Sequence, residues 1–212
     1  MRRSWILTIS VLVLAILAAR PAGAAAADAD EASPPGANGL ANPNFDTGVA
    51  GWNADQTWDP KLDADGNPHS GSVRLSAVLH PAGCINAAQC LVVTPGLYEL
   101  SAKVFVPTGT YPDGALAETN VIWVKRADCM WGAESPALGN VSTPFFYLDA
   151  SQNTWVRITT GLTVAPEETH SAWVYLNVCA SALGKKPATL TVNFDDIVLK
   201  KIEPAKDPPA AQ

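Results

Sequence analysis

Leu97-Tyr98-Glu99-Leu100-Ser101-Ala102-Lys103-Val104-Phe105-Val106 decides the fold class. Tyr98, Leu100, Ala102, Val104 and Val106 share one side, and Glu99, Ser101 and Lys103 the other. Successive strand residues point to opposite faces, so this alternation predicts a strand with one dry and one wet side. Pro95-Gly96 supplies its entry turn. Ser72 to Leu79 repeats the pattern with Val73, Leu75, Ala77 and Leu79. Further strand signals lie at 89–94, 119–126, 144–148, 154–164, 171–179 and 189–200, separated by Pro, Gly, Asn and Asp clusters, and no amphipathic helix stands out. About eight to ten short strands predict an all-β jelly-roll β-sandwich of two antiparallel sheets rather than an α/β fold.

Outside this region the chain changes character. Arg2 and Arg3, the apolar run Trp5 to Ala19 and Ala22-Gly23-Ala24 predict a signal peptide over 1–24, whose apolar part is shorter than the ~20 residues of a spanning helix. Residues 25–39 read as a flexible linker and 203–212 as a disordered tail, leaving 40–202 as one folded domain. The expected product is secreted or periplasmic, not membrane-spanning, and monomeric. Cleavage after Ala24 removes Arg2, Arg3 and Arg20, and takes the formal charge from −6 to −9. Such an acidic chain has no electrostatic reason to bind nucleic acid or anionic lipid, so neutral or cationic partners are favoured.

Cys84, Cys90, Cys129 and Cys179 are an even set in an exported chain, which predicts two disulfides. Three pairings are possible; the expected one closes a local loop with Cys84–Cys90 and staples distant strands with Cys129–Cys179. A zinc site is the alternative, but no C-x-x-C or nearby His spacing supports it.

Asn42-Pro43-Asn44-Phe45-Asp46 with Gly51-Trp52 opens the domain, and Phe194-Asp195-Asp196-Ile197-Val198-Leu199 closes it. Between them come Ser70-Gly71-Ser72-Val73-Arg74-Leu75, Cys90 to Val104, Thr154 to Ile158 and Ala172 to Val178. In this order the segments resemble carbohydrate-binding modules of families four, nine and twenty-two, in the galactose-binding-like jelly-roll superfamily. The resemblance spans almost all of 40–200. It implies a structural Ca2+ where the first and last strands converge, with Asp46, Asp195, Ser70 and Ser72 as the positions around it. The family's usual opening acid is Glu, and here it is Asp46. Without an ion, Asp46 caps a turn and Asp195-Asp196 ends a strand. Asp63-Ala64-Asp65-Gly66-Asn67 starts like a calcium loop, but no Glu follows at its twelfth position, so a surface turn is the better reading.

Sugar rings stack their apolar C–H faces on Trp and Tyr while their hydroxyls need polar neighbours. Ser171 to Cys179 offers that mixture, with Trp173, Tyr175 and Asn177 opposite Ala172, Val174, Leu176 and Val178. Thr119 to Lys125 is read the same way, with Trp123 and Lys125 opposite Ile122 and Val124. A concave sheet face is therefore expected from Trp123, Lys125, Trp173, Tyr175 and Asn177, with Glu99 and Lys103 from a third strand. The resemblance assigns Trp52 and Trp155 to the core, whereas Trp58 and Trp131 fall in loops that rim the site. His69, His80 and His170 sit in turn-like settings, Glu167-Glu168 and Asp195-Asp196 are adjacent and point apart, and no nucleophile, phosphate-loop or zinc-protease motif occurs. The expected function is non-catalytic binding of a neutral polysaccharide or oligosaccharide. A protein-interaction or adhesion module and a jelly-roll polysaccharide-degrading enzyme are the alternatives.

Overall fold

In a computed structural model, residues 37–53, 56–79, 82–132, 135–180 and 188–203 are described. The expected signal peptide, most of the linker and most of the tail lie outside these residues. Among the described residues ten strands follow in order: β1 (Thr57–Asp59), β2 (Ser72–Leu79), β3 (Gly83–Val92), β4 (Gly96–Phe105), β5 (Ala115–Val124), β6 (Ala137–Ser142), β7 (Phe146–Tyr147), β8 (Trp155–Ala165), β9 (Ser171–Ala180) and β10 (Ala188–Ile202). One sheet has the order β1-β2-β10-β4-β8, the other β3-β9-β5-β6 with β7 also on β5, and the pairings are antiparallel. We call them the first and second sheet. The fold is an all-β sandwich.

The alternation in β4 is realised: Tyr98, Leu100, Ala102 and Val104 are buried toward the second sheet. Alternation also runs along β10 until a bulge between Asp195 and Val198, where Asp196 takes a left-handed φ of 47°. An extra residue shifts strand parity by one. Phe194 before the bulge and Ile197 and Leu199 after it therefore all face the core. Tyr98 of the first sheet meets Trp123 of the second with ring centroids 5.3 Å apart, joining the layers across the core.

The opening segment docks on the closing strand. Ile197 N–H donates to Pro43 O at 3.0 Å, Gly39 N–H to Leu199 O at 3.2 Å, and the Asn38 side chain bonds both Ile197 O and Leu199 N. Phe45 and Trp52 are buried beneath this segment with rings 5.6 Å apart. Trp58 also packs against the core, its Nε1 donating to Phe45 O at 2.8 Å. Trp155 departs from its core assignment: it packs at a tilt against Phe105 on the outer side of the first sheet, because its register partner Phe105 has the parity opposite to buried Val104.

The cysteine pairing differs from the expected one. Cys84 bonds Cys179 and Cys90 bonds Cys129. The reason is that Ile85 to Gln89 is strand rather than loop, so Cys84 and Cys90 are held apart along extended β3. Cys84 instead lies directly opposite Cys179 in the β3–β9 ladder, with Cα atoms 4.1 Å apart.

Candidate functional site

The outer side of the second sheet carries the candidate site. In β9 the small and aliphatic Ala172, Val174, Leu176 and Val178 are buried, so Trp173, Tyr175, Asn177 and Cys179 must face outward. The ladders set their neighbours in rows. Cys90, Trp173, Ile122 and Asn140 form one row across β3, β9, β5 and β6, and Ala88, Tyr175, Asn120 and Ser142 form the next. Asn86, Asn177 and Glu118 follow, then Cys84, Cys179, Leu116 and Tyr147.

Trp173 and Tyr175 are half-buried, with ring centroids 5.9 Å apart and planes inclined at 34°. Burial pushes the Tyr175 phenol above its ordinary value, so it stays protonated and able to donate across the neutral range. Asn177 Nδ2 is 3.3 Å from both Glu118 Oε1 and Asn120 Oδ1, which links three polar side chains beside the aromatic pair. A ring resting on Trp173 and Tyr175 would thus find acceptors and donors at its edge. Among the described residues facing outward on β3, β5 and β9, Glu118 is the single carboxylate.

Trp123, Lys125, Glu99 and Lys103 do not join this face. Trp123 is 1% exposed and points into the sandwich. On β5 the buried parity is Ala115, Ala117, Thr119, Val121 and Trp123, so Leu116, Glu118, Asn120 and Ile122 face out. Across the core the Trp123 indole meets the Tyr98 ring, with centroids 5.3 Å apart. Lys125 lies just beyond the end of β5, exposed and paired with Glu168 at 2.9 Å. Glu99 and Lys103 belong to β4 in the other sheet. Lys103 pairs there with Asp65 at 2.5 Å and Asp196 at 3.3 Å, and the Asp65 bond leads in raising its pKa. The sequence reading missed Glu118, Asn120, Asn86, Asn140 and Ser142. The parity of Glu118 and Asn120 was visible, but the small residues alternating with them gave no apolar contrast.

At the converging ends, the four positions implied for calcium make separate contacts. Asp46 is exposed and its N–H donates to Asn42 Oδ1 at 3.2 Å. The Ser70 hydroxyl donates to Asn44 O at 2.8 Å, and Ser72 Oγ accepts from Asn193 Nδ2 at 2.9 Å. Asp195 is buried and accepts from the amides of Ala64 at 2.8 Å and Asp196 at 2.7 Å. Burial, with the nearby Asp63 and Asp196 charges, pushes its pKa up to about 7 against the pull of those amides. Lys103, opposite Asp195 in the ladder, is engaged by other acids. Asp195 alone of the four has a buried charge that a cation would neutralise, and among the described residues no group of three His, Cys, Asp or Glu is placed to hold a metal. The rival segment is a turn, with Asp63 Oδ1 accepting from the amides of Asp65 at 2.9 Å and Asn67 at 2.6 Å.

No protein-family model matches the chain, and no curated protein does. Solved structures do. The CBM22-1 xylan-binding domain from Paenibacillus barcinonensis Xyn10C aligns with a TM-score of 0.53 at 15% identity, over 82% of this chain and 100% of that one. A promiscuously specific carbohydrate-binding module of the β-sandwich superfamily aligns with a TM-score of 0.52 at 17% identity, over 78% of this chain and 64% of that chain. A further xylan-binding domain of CBM 22 gives a TM-score of 0.50 at 13% identity, over 78% of this chain and 96% of its own. At such identities the shared property is architecture. The chain therefore has the two-sheet β-sandwich fold found in carbohydrate-binding modules.

Proposed function

We propose that this protein is a secreted, non-catalytic module that binds a neutral polysaccharide or oligosaccharide on the outer, concave face of its second sheet. The observation that carries this reading is the half-buried Trp173–Tyr175 pair set beside the Asn177, Glu118 and Asn120 cluster. Aromatic faces supply apolar area to a pyranose, and the adjoining amides and carboxylate meet its hydroxyls. The two disulfides fit an oxidising compartment, in keeping with export. Glu118 has no second carboxylate beside it on β3, β5 or β9, whereas glycoside hydrolysis ordinarily needs two acids flanking one bond.

Xylan is the first polysaccharide to test, since two of the aligned structures are xylan-binding domains. Affinity electrophoresis on xylan, xyloglucan, mixed-linkage glucan, galactan and galactomannan should show retention on at least one without release of reducing ends. Trp173→Ala should weaken that retention by more than about thirtyfold, the range of an aromatic hot spot. No retention on any of them, or release of reducing sugar, rejects the reading. A structural Ca2+ at the Asp195 end is part of the proposal. It predicts that chelation lowers the melting temperature and that Asp195→Ala removes the response; parent and variant melting alike with and without calcium would discard the ion.

A further inference from the structure

Residues 125–132, which follow β5, are tied to the outer face of the second sheet, and any role for them there rests on the sugar-binding reading of that face. Cys90 occupies the same outward row as Trp173. Its disulfide to Cys129 therefore draws the β5–β6 segment over that face rather than away from it. Two hydrogen bonds tie the segment down further: Trp173 Nε1 donates to Cys129 O at 2.9 Å, and the Ser171 hydroxyl donates to Arg126 O at 2.5 Å. Cys129 is buried with a φ of 57°, a left-handed conformation that a non-glycine residue keeps only where its surroundings enforce it. Past it, Gly132 and Ser135 exchange both backbone hydrogen bonds, at 2.9 and 3.2 Å. The segment is thus held at Arg126, Cys129 and Gly132.

It nevertheless exposes apolar side chains at its tip. Met130 is 63% exposed and Trp131 50%. Large apolar residues clustered on an ordered surface beside polar groups mark a place where something docks. Trp131 is two residues from Cys129, whose carbonyl holds the Trp173 indole, so the tip stands at the Trp173 end of the aromatic pair.

We propose that this disulfide-pinned segment is a wall of the sugar site, in which Trp131 offers a second aromatic surface to a pyranose ring resting on Trp173 and Tyr175. Because the Trp173 N–H is taken by Cys129 O, Trp173 contributes its ring face, and hydrogen-bond selection of the sugar falls to Tyr175, Asn177, Asn120 and Glu118. The disulfide is the covalent tie of this wall, so reduction should loosen it and weaken binding.

The test compares the parent, Trp131→Ala, Trp131→Tyr, Trp173→Ala and the Cys90→Ser/Cys129→Ser pair on the same five neutral polysaccharides, with melting curves for each. Trp131→Ala should melt like the parent and lose about tenfold in affinity, and Trp131→Tyr should recover most of it. The double serine variant, measured below its melting temperature, should lose affinity to a similar degree. If Trp131→Ala or the double serine variant keeps the parent's affinity while Trp173→Ala has lost it, the wall is overturned and the sugar-binding reading stands. If the parent binds none of the five, both fall together.

Discussion

Replacing Trp123 with alanine removes a large, fully buried side chain from between the two sheets, and such truncations cost about 3–5 kcal/mol. For a domain of this size that lowers the melting temperature by roughly 10 °C. Trp123→Phe should lose less, since it keeps a ring against Tyr98 and discards an indole N–H that has no partner in its buried position. Trp173→Ala should do the reverse, sparing most of the stability and removing sugar binding. A Trp173→Ala melting loss as large as that of Trp123→Ala would place Trp173 in the core. Asp195 gives a second test at this scale, made in chelator. An ordinary aspartate is ionised by pH 5, whereas burial holds the Asp195 proton to about 7. The unfolded chain therefore releases a proton that the folded chain retains, and the resulting stability is full below the ordinary carboxyl range and lost as pH rises to about 7. The melting temperature in chelator should fall between pH 4.5 and 7.5, and Asp195→Asn should flatten that slope; a parallel slope in the variant would assign the effect to other groups.

The strands show why part of the fold was legible. In β4 and β9 the core-facing positions, Tyr98 to Val104 and Ala172 to Ala180 at every second residue, are apolar and most outward positions are polar or aromatic, so their faces follow from the residues alone. β5 fails that test because Ala, Thr and Val line its inner side and Leu116 and Ile122 its outer side. Its parity is set by what lies across the core, where Trp123 meets Tyr98. The strand signal for β3 begins only near Gln89, since Gly83-Cys84-Ile85-Asn86-Ala87-Ala88 has little strand propensity. That stretch is strand because it pairs with β9 along its length, a tertiary cause. The disulfides register this difference. Peptide mapping of the unreduced protein should recover Cys84 linked to Cys179 and Cys90 linked to Cys129; a Cys84–Cys90 link would mean that β3 is a loop. Closing stretches of 95 and 39 residues, each bridge should contribute about 4 kcal/mol by restricting the unfolded chain. Serine replacement of either pair should lower the melting temperature by a comparable amount, although only the Cys90–Cys129 pair is expected to alter sugar binding.

On the scale of the whole molecule, the site is a product of register. Trp173, Tyr175 and Asn177 were legible because one strand carries them, but Glu118, Asn120, Asn86 and Ser142 reach them only through pairings between segments more than fifty residues apart in several cases. Glu99 and Lys103 were misplaced for the same reason, since nothing within β4 says which sheet it enters. Charge, by contrast, is read directly from the sequence, and it underlies the proposal of a neutral ligand. The chain carries a formal charge of −6, its site holds Glu118, and the nearby cations Lys125 and Arg126 are paired with Glu168 and Asp128. An anionic polymer would meet a negative surface with no free cation, among the described residues, on the aromatic face to receive it. Association with a neutral glycan, by comparison, involves no net Coulomb term for salt to screen. Affinity for the cognate polysaccharide should therefore change by less than about twofold between 50 and 500 mM NaCl, a range over which the Debye length falls from roughly 14 to 4 Å. Polygalacturonate and DNA should show no retention at the lower salt. Tight low-salt binding to either polyanion, lost at 500 mM, would mean that the cations rather than the Trp173–Tyr175 pair recognise the ligand, and that the partner is acidic.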